Sequence, residues 1–352
     1  MRLAYYYHLA QRLPPDDSRN NPYGELLCRA LERLGVEVEF TLDLDERFLE
    51  ANRGRIDVLH LNWPHFDYYH EDADLMHARM RRFVSRLELA RALGYKLVWT
   101  AHNIYPHNRR HQAIDHECRV AICRSATAIL AHCEVARAEV ERRFAPQGRV
   151  FVIPHGNFID VYARKFTRSE ARSDLGVPAD AFVYGFFGSM QPYKGLEELI
   201  EAFCGLGQQD AWLVGVGGGK PEYLDRLRAI GGGAPRVVLR TFPRAPSEEI
   251  TRVLEAADVI TLPFTATMTS GTVILALSWS RPVVAPSLGC LPMTVAPGGG
   301  ILYDPSAPGA LPGALEEARR LDLAAAGRAA FEGVRPFDWD TIARATLEAY
   351  RI

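Results

Sequence analysis

The sequence lacks several features that would assign a protein to a broad class. No apolar run approaches the roughly 18 residues of a membrane-spanning helix, and the apolar stretch near the N-terminus is too short for a signal peptide. The 41 basic residues nearly balance the 43 acidic residues, so no general attraction to nucleic acid is expected. Six cysteines without regular spacing predict reduced thiols in a cytoplasmic protein.

Lysine is scarce and histidine is confined to one part of the chain. Only four residues are lysines, namely Lys96, Lys165, Lys194 and Lys220. All eleven histidines lie at or before position 155 of the 352 residues, so the two halves are expected to have different roles. The 48% of hydrophobic and 24% of charged residues are typical of a globular protein, and the length fits two domains.

Short apolar strands alternate with helices of about 10–15 residues in both halves, which is the pattern of parallel βαβ units. In the first half the predicted strands are 3–9, 36–40, 57–62, 96–101, 126–131 and 150–153. In the second half they are 182–187, 211–216, 237–239, 259–262 and 282–285. We therefore expect two doubly wound α/β domains, whose ligands lie beyond the carboxyl ends of the strands.

A candidate anion site follows the first strand of the second half. That strand ends near Phe187, Gly188 and Ser189 follow in a close turn, and Lys194-Gly195 precedes a helix. Backbone N–H groups at the start of a helix, together with one ammonium group, favour a bound anion. The alternative is an ordinary turn with an exposed lysine. The residue order of a Walker A loop is absent.

Small hydroxyl residues precede another helix of the same half. Thr269, Ser270, Gly271 and Thr272 are helix-capping residues that leave further N–H groups for an anion. A diphosphate carries enough charge to use both places together, whereas plain helix capping is the alternative.

A glycine-rich run only loosely resembles a dinucleotide-binding loop. The run is Gly215–Lys220, and Lys220 stands where the third glycine of such a loop belongs. We interpret the run as a tight turn between a strand and a helix.

Histidine and asparagine follow two predicted strands of the first half. His102 and Asn103 come directly after one strand, and His60 and Asn62 lie at the end of another. This position at the ligand side of the sheet makes His102 and Asn103 candidate catalytic residues, and a buried structural histidine is the alternative. The nearby histidines lack the compact spacing of a zinc site, so no metal is expected. They are His102, His107, His111 and His116.

The predicted helix 78–93 is rich in arginine. Its arginines are Arg79, Arg81, Arg82, Arg86 and Arg91. A solvated helix face is the ordinary interpretation, and contact with anionic lipid head groups or an acceptor diphosphate is the alternative.

Three segments of the second half together resemble the GT-B glycosyltransferases, in particular glycosyltransferase family 4. They are Phe186–Ile200, Thr269–Thr272 and Ala276–Ala285. In the first half, Trp99–Asn103 and Val152–Asn157 resemble segments of bacterial exopolysaccharide transferases. The resemblance covers nearly the whole chain. It implies a GT-B fold in which two Rossmann-like domains, residues 1–160 and 161–336, face a central cleft and a terminal helix, 337–352, crosses back to the first domain.

The resemblance also implies roles for the candidate residues. Lys194 would bind the diphosphate of a nucleotide-sugar donor, beside the turn at Gly188 and Ser189 and the amides of Thr269–Thr272. His102 aligns with a histidine that lies near the donor sugar in this family. The architecture needs neither a metal nor a cofactor, since the ammonium group and the helix ends supply the positive charge.

The sequence departs from the family at three positions. Thr267 and Leu275 replace two glutamates that contact the donor sugar and the ribose, and Ser189 stands where arginine is common. Ribose recognition and the stereochemical outcome therefore stay open. An inverting reaction would need a carboxylate base, for which the candidates are Asp67, Asp115 and Glu117.

The expected protein is a cytoplasmic, metal-independent hexosyltransferase. It would use a nucleotide sugar and a carbohydrate acceptor, lipid-linked and part of bacterial exopolysaccharide or cell-surface glycan synthesis, with the inner membrane surface as a further candidate partner. The alternatives are a GT-B nucleotide-sugar epimerase and a non-catalytic sugar-nucleotide-binding subunit. A Rossmann dehydrogenase is disfavoured by Lys220.

Overall fold

The chain divides into two compact units. Unit 1 comprises Met1–Pro15, Pro22–Gly156 and Phe337–Ile352, and unit 2 comprises Asp16–Asn21 and Asn157–Pro336. The computed structural model describes residues 1–7, 12–17, 21–106, 110–231 and 233–352. The main division therefore lies after Gly156, whereas the sequence suggested residue 160.

Six parallel strands form the sheet of unit 1. They are β1 (Arg2–Tyr6), β2 (Glu37–Thr41), β3 (Val58–Leu61), β4 (Lys96–Ala101), β5 (Ala128–Ala131) and β6 (Arg149–Val152). Their order is β2-β1-β3-β4-β5-β6, and the register pairs Leu3 with Val58 and Val98 with Ala128. Strands β3 and β5 are buried along their whole length, as expected for a parallel sheet covered on both faces. The end of the predicted strand 3–9 lies outside the described residues.

Helices connect these strands. They are α1 (Pro22–Arg33), α2 (Glu46–Ala51), α3 (His65–Tyr68), α4 (Ala73–Ala92), α5 (Gln112–Ser125) and α6 (Glu134–Phe144). Helix α4 begins five residues before the predicted helix 78–93, because the Asp72 carboxylate caps it by accepting a 2.9 Å hydrogen bond from the Leu75 amide. The buried Met76 extends the helical spacing of Met80, Phe83 and Leu87, so the sequence contained the signal for this first turn.

Unit 2 contains a second six-stranded parallel sheet. Its strands are β7 (Phe182–Ser189), β8 (Ala211–Gly218), β9 (Val237–Phe242), β10 (Val259–Thr261), β11 (Val283–Pro286) and β12 (Gly300–Tyr303). Their order is β12-β11-β10-β7-β8-β9, so the strand order reverses between β7 and β10. Strand β12 was not predicted.

The helices of unit 2 complete the doubly wound arrangement. They are α7 (Arg168–Leu175), α8 (Leu196–Gly205), α9 (Pro221–Gly231), α10 (Ser247–Ala256), α11 (Gly271–Ser278), α12 (Leu291–Thr294), α13 (Ala310–Ala318) and α14 (Leu323–Val334). The predicted doubly wound α/β class is therefore confirmed in each unit.

The last helix, α15 (Trp339–Tyr350), belongs to unit 1. The Asp338 carboxylate caps it by accepting from the Thr341 amide at 2.8 Å. Its apolar face packs on α1, and the buried Tyr350 hydroxyl lies 2.5 Å from His60 Nδ1. The C-terminal segment thus contributes to the core of the first unit.

Two further expectations concern the membrane and the thiols. Among the described residues, no helix combines the length and the apolar character needed to cross a bilayer. Cys28, Cys118, Cys123 and Cys204 are free thiols.

Candidate functional site

The predicted anion loop of unit 2 lies where the strand order of its sheet reverses. Ligands of open α/β sheets bind at this point, beyond the carboxyl ends of the strands. Strand β7 ends at Gly188-Ser189, and Gly188 has a φ of 120°, which side-chain-bearing residues rarely adopt. A Cβ atom at Gly188 would lie 3.7 Å from Thr272 Oγ1. The end of β7 and the start of α11 are therefore neighbours.

Glycine at position 195 shapes the other end of this loop. A 3-10 turn, Pro192–Lys194, leads into Gly195, whose φ is 68°. A Cβ atom there would stand 1.9 Å from the Pro263 carbonyl oxygen, a distance that no side chain tolerates. The Thr265 amide also donates to the Tyr193 carbonyl at 2.9 Å. These contacts join the loop after β7 to the loop after β10.

Lys194 is a buried cation. Its side chain is 9% exposed, and its ammonium nitrogen lies 4.5 Å from the ring centre of Phe264 and 5.3 Å from that of Tyr193. None of the described residues forms a hydrogen bond or an ion pair with this ammonium group. Burial lowers the pKa of Lys194 to about 8. A buried cation without a carboxylate partner is costly, and a bound anion would remove that cost.

The hydroxyl residues before α11 prepare its N-terminus. Ser270 caps the helix by accepting from the Val273 amide at 3.3 Å, and the Thr267 hydroxyl donates to the Thr269 carbonyl at 3.3 Å. The first amides of a helix have no acceptor within the helix, so those of Gly271 and Thr272 are suited to bind an anion. Unit 2 therefore has two positively polarised features on neighbouring loops, the start of α11 and the Lys194 ammonium group.

The glycine-rich run after β8 has a structural explanation. A Cβ atom at Gly217 would meet the Gly188 carbonyl oxygen at 2.1 Å, and one at Gly219 would meet that of Met190 at 2.4 Å. Glycine is needed here because two strand ends approach closely, which agrees with the interpretation as a tight turn.

In unit 1, His102 lies in a buried chain of hydrogen bonds. Its Nδ1 is 3.0 Å from His132 Nε2, and its Nε2 is 2.6 Å from the Asn62 side chain. His132 Nδ1 in turn lies 3.0 Å from the Ile153 carbonyl oxygen. The His102 ring also stacks on Trp63, with ring centres 4.7 Å apart. Both ring nitrogens of His102 are thus occupied within the unit.

The Ile153 carbonyl, the last acceptor in this series of hydrogen bonds, determines which groups donate in the others. The Ile153 carbonyl can only accept, so His132 Nδ1 carries a proton. Burial lowers the pKa of His132 to about 4 and that of His102 well below its usual value. Both rings are therefore neutral near pH 7. Hence His132 Nε2 accepts from His102 Nδ1, and His102 Nε2 accepts from Asn62. When the Asn62 side-chain amide is rotated by a half-turn, its nitrogen, which otherwise has no partner, donates to His102 Nε2.

A small pocket lies beside His102 in unit 1. Its volume is about 20 Å³, and Asn103 and Tyr105 line it together with Trp63, Trp99 and Arg119. Asn103 is half-buried, so its side chain is accessible from this pocket. His60, by contrast, is fully buried between the Thr100 and Tyr350 hydroxyls, at 2.6 Å and 2.5 Å, which indicates a structural role.

The candidate carboxylate bases occupy different environments. Asp67 accepts from the Tyr6 hydroxyl at 3.3 Å and pairs with Arg86 at 3.4 Å, and burial raises its pKa. Asp115 is fully buried and accepts from the Tyr68 hydroxyl at 3.1 Å. Glu117 is exposed and lies 3.7 Å from His77. The three carboxylates thus differ in burial and in their hydrogen-bond and ion-pair partners.

The histidines considered for a metal site are dispersed. His111 Nε2 contacts the Glu71 carbonyl at 2.7 Å, His116 Nδ1 contacts the Tyr105 hydroxyl at 2.9 Å, and His107 lies outside the described residues. Within the described ranges, no group of three or more His, Cys, Asp or Glu side chains could hold a metal ion.

Two residues of these sites, Phe264 and Arg119, were not predicted from the sequence. Phe264, whose ring contacts the Lys194 ammonium, follows a strand and carried only the general signal of an apolar residue at a strand end. Arg119 is 3% exposed. It shares a face of α5 with the buried Asp115, Cys118 and Ile122, and that helical spacing could have indicated its burial.

Solved structures with a similar fold define the class. Sucrose-phosphate synthase from Thermosynechococcus elongatus superposes with a TM-score of 0.75, covering 99% of this chain and 98% of that chain at 20% identity. Anabaena HepE, solved in complex with UDP and glucose, gives a TM-score of 0.71 over 99% and 98% at 18% identity. The fold is that of the GT-B glycosyltransferases.

Two protein-family models, both of glycosyltransferases, also match segments of the chain. A model described as Glycosyltransferase Family 4 matches residues 23–157, and one described as Glycosyl transferases group 1 matches residues 181–319. Each unit therefore contains a segment that matches a glycosyltransferase family model.

Curated relatives match over part of their length. The D-inositol 3-phosphate glycosyltransferase of Streptomyces avermitilis is 32% identical over 245 residues, which are 65% of this chain and 52% of the relative. That of Mycolicibacterium smegmatis is 29% identical over 231 residues, covering 64% and 52%. The chain thus spans about half the length of these curated relatives.

Proposed function

We propose that the protein transfers a hexosyl group from a nucleoside diphosphate sugar to a carbohydrate acceptor without a metal ion. Unit 2 would hold the donor, and unit 1 would contribute His102 and Asn103. The glycosyltransferase domains and the GT-B fold support this proposal. In the reaction, the bond between the sugar's anomeric carbon and the diphosphate breaks, a bond to an acceptor oxygen forms, and the acceptor hydroxyl loses its proton.

The buried ammonium group of Lys194 is the observation that carries the proposal. Negative charge builds on the diphosphate as its bond to the sugar breaks. Lys194 and the amides at the start of α11 would stabilise that charge in place of a divalent cation, and Gly188, Ser189, Thr269 and Ser270 would shape the site. Lys194 has no carboxylate partner among the described residues, so the diphosphate would meet an uncompensated charge.

The donor sugar and ribose would be recognised without the two family glutamates. Thr267 lies in the loop before α11, and Leu275 is buried within that helix. Neither side chain can accept hydrogen bonds as a carboxylate does, so the proposal assigns them no role in charge stabilisation. His102 would act by position, because both of its ring nitrogens are already hydrogen-bonded.

The proposal also specifies the acceptor and the place where the protein acts. The arginines of α4 lie on its solvent side, where Arg79, Arg81, Arg82 and Arg91 are exposed. Such a surface fits an anionic acceptor lipid at the cytoplasmic face of the inner membrane, in exopolysaccharide or cell-surface glycan synthesis. Relatives and structural neighbours are named for inositol phosphate and sucrose phosphate, so a small phosphorylated acceptor is the competing choice.

Calorimetric titration with UDP, GDP and ADP tests the donor site. We expect one nucleotide to bind, and Lys194→Ala should weaken its binding by about 1.5–3 kcal/mol, the contribution of a charged hydrogen bond. Lys220→Ala is the matched control, since Lys220 is an exposed lysine of the same unit. Unchanged affinity in Lys194→Ala, or no binding of any nucleotide, would refute the assignment. A subsequent NMR assay with donor alone separates transfer from epimerisation.

A further inference from the structure

A pocket of about 260 Å³ lies in unit 2, at the edge of its sheet where the strands begin. Asp258 directly precedes β10, and Arg281 lies just before β11. Lys194 and the start of α11 lie instead beyond the carboxyl ends of β7 and β10. The pocket is therefore separate from the proposed donor site. Its lining includes Arg168, Asp258, Ser280, Arg281, Leu323 and Ala324, and we call it the arginine pocket.

The arginine pocket is large and accessible. One water molecule needs roughly 10–15 Å³ of such space, so about 260 Å³ admits a ligand of several atoms. The Arg168 side chain is 41% exposed, and Ala324 is exposed. A ligand can therefore reach the charged lining from solvent.

The carboxylate in the lining is already neutralised. Asp258 Oδ1 accepts from Arg168 Nη2. Asp258 Oδ2 accepts from Arg172 Nη2 at 3.0 Å and from the Val183 amide at 2.7 Å. Arg172 is buried. Two guanidinium groups thus share this one carboxylate.

A second carboxylate is shared in the same way. Glu255 Oε1 accepts from Arg164 Nη1 at 2.9 Å and from Trp279 Nε1 at 3.1 Å. Glu255 Oε2 accepts from Arg281 Nη2 at 3.3 Å. The network around the pocket therefore contains four guanidinium groups and two carboxylates, which leaves an excess of two positive charges.

The arginines of the lining keep donors for a further partner. In the described part of the chain, neither Arg281 Nη1 nor Arg168 Nε forms a hydrogen bond. Burial lowers the pKa of Arg281; Glu255 opposes this shift, and Arg168 and Arg164 add to it. Arg281 is thus a charged group in a positive environment, which a bound anion would stabilise.

Ser280 adds a hydroxyl group at a costly position. Its φ is 57°, in the left-handed region that glycine usually occupies after a helix. Helix α14 packs closely here, since a Cβ atom at Gly327 would lie 2.7 Å from the Ser280 carbonyl oxygen. The Ser280 hydroxyl has no hydrogen-bond partner among the described residues. The neighbouring Asp322 carboxylate caps α14 by accepting from the Ala324 and Ala325 amides.

We propose that the arginine pocket binds a phosphate group, as the free ion or as a small monoester, through Arg168, Arg281 and the Ser280 hydroxyl. Guanidinium groups match the geometry of phosphate oxygens, and a phosphate carries nearly the two negative charges that balance the local excess. This site lies beyond the proposed transfer reaction and does not depend on it.

Calorimetry on the full chain tests the proposal with inorganic phosphate, glycerol 3-phosphate and sodium chloride, all at one ionic strength. We expect at least one phosphate compound to bind and chloride to give no binding heat. Tighter binding of glycerol 3-phosphate would identify a monoester as the ligand, and tighter binding of inorganic phosphate would identify the free ion. No binding of either phosphate compound, or equal binding of chloride, would overturn the proposal.

A charge series at Ala324 tests the location without disturbing the ion pairs. Ala324→Glu should weaken phosphate binding at least about tenfold, because it adds a carboxylate to the lining. The fold should tolerate it, since an acidic residue is favourable in the first turn of a helix. Ala324→Gln is the matched control of similar size and should change affinity less than about twofold. Equal affinity in the Glu and Gln variants would show that phosphate binds elsewhere.

Two variants test the donors. Arg168→Gln should weaken binding at least about tenfold, and Asp258 keeps its Arg172 and Val183 donors in that variant. Ser280→Gly should weaken phosphate binding while raising the melting temperature, because glycine relieves the left-handed backbone. Unchanged phosphate affinity in both variants would contradict the assignment.

Phosphate binding at the donor site is distinguished by Lys194→Ala. Binding at the arginine pocket should persist in Lys194→Ala, and nucleotide affinity should be unchanged in Ala324→Glu. Phosphate binding that disappears in Lys194→Ala would belong to the donor site and would overturn this inference alone. If nucleotides fail to bind but phosphate binding responds to the Ala324 series, the donor assignment is wrong and the arginine pocket stands.

Discussion

Nucleotide affinity should fall as the pH rises through about 8. Burial lowers the pKa of Lys194 to about 8 in the free protein, and only the ammonium form attracts a diphosphate. A bound diphosphate favours that charged form, so the pKa of Lys194 rises in the complex. Between the two pKa values the complex holds a proton that the free protein lacks, and affinity must decrease with increasing pH.

The size of this effect follows from the pKa. At pH 9, one unit above the value of about 8 in the free protein, about nine-tenths of Lys194 is neutral. If the complex keeps the lysine charged, the association constant at pH 9 should be about tenfold below its value at pH 7, or about 1.4 kcal/mol weaker. About one proton should be taken up for each nucleotide bound at that pH.

Calorimetry in two buffers of different ionisation enthalpy measures both quantities. The titrations would run from about pH 7 to about pH 9.5 with the nucleotide that binds best. Lys194→Arg is the control, because a guanidinium stays protonated over this range and should make affinity nearly independent of pH. A flat profile for the unsubstituted protein, or the same slope in Lys194→Arg, would refute the role given to this lysine.

Three further predictions concern stability and turnover. Lys194→Met should stabilise the fold by up to about 3 kcal/mol at pH 7, because the fall in pKa from 10.5 to about 8 reflects the cost of burying the charge. That gain should shrink as the pH rises from 8 towards 10.5, and urea unfolding at pH 7 and 9 would show it. Gly195→Ala should destabilise by at least about 1–3 kcal/mol in the same assay, whereas Gly205→Ala, with open space around it, should not. His102→Ala should reduce kcat more than nucleotide affinity, and an equal loss in both would indicate only a structural role.

The fold was largely predictable from local pattern. The apolar runs at 96–101 and 182–187 gave strands close to β4 and β7, because buried parallel strands are apolar along their length. Strand β12 was missed because its four residues begin with glycine and follow two more glycines. Such a segment is too short, and its apolar pattern too weak, to indicate a strand.

The candidate sites were less predictable because they depend on contacts distant in sequence. The position of Lys194 after a strand indicated an anion site, but its burial against Phe264 depends on a loop about 70 residues later. The place of His102 at a strand end was apparent, whereas its bonds to Asn62 and His132 were not. The burial of Arg119 Nε and Nη1 without hydrogen-bond partners is a property of the folded environment that no local pattern contains.

Because α15 lies in unit 1, the order in which the chain leaves the ribosome matters. The segment Asn157–Pro336 of unit 2 is synthesised without interruption, whereas the first unit lacks Trp339 and Tyr350 until that whole segment has been translated. A Cβ atom at Gly156 would overlap the Trp339 ring at 2.5 Å, so the incoming helix needs a gap that this glycine keeps open. The nascent sheet of unit 1 therefore keeps part of its apolar surface uncovered until α15 has been translated.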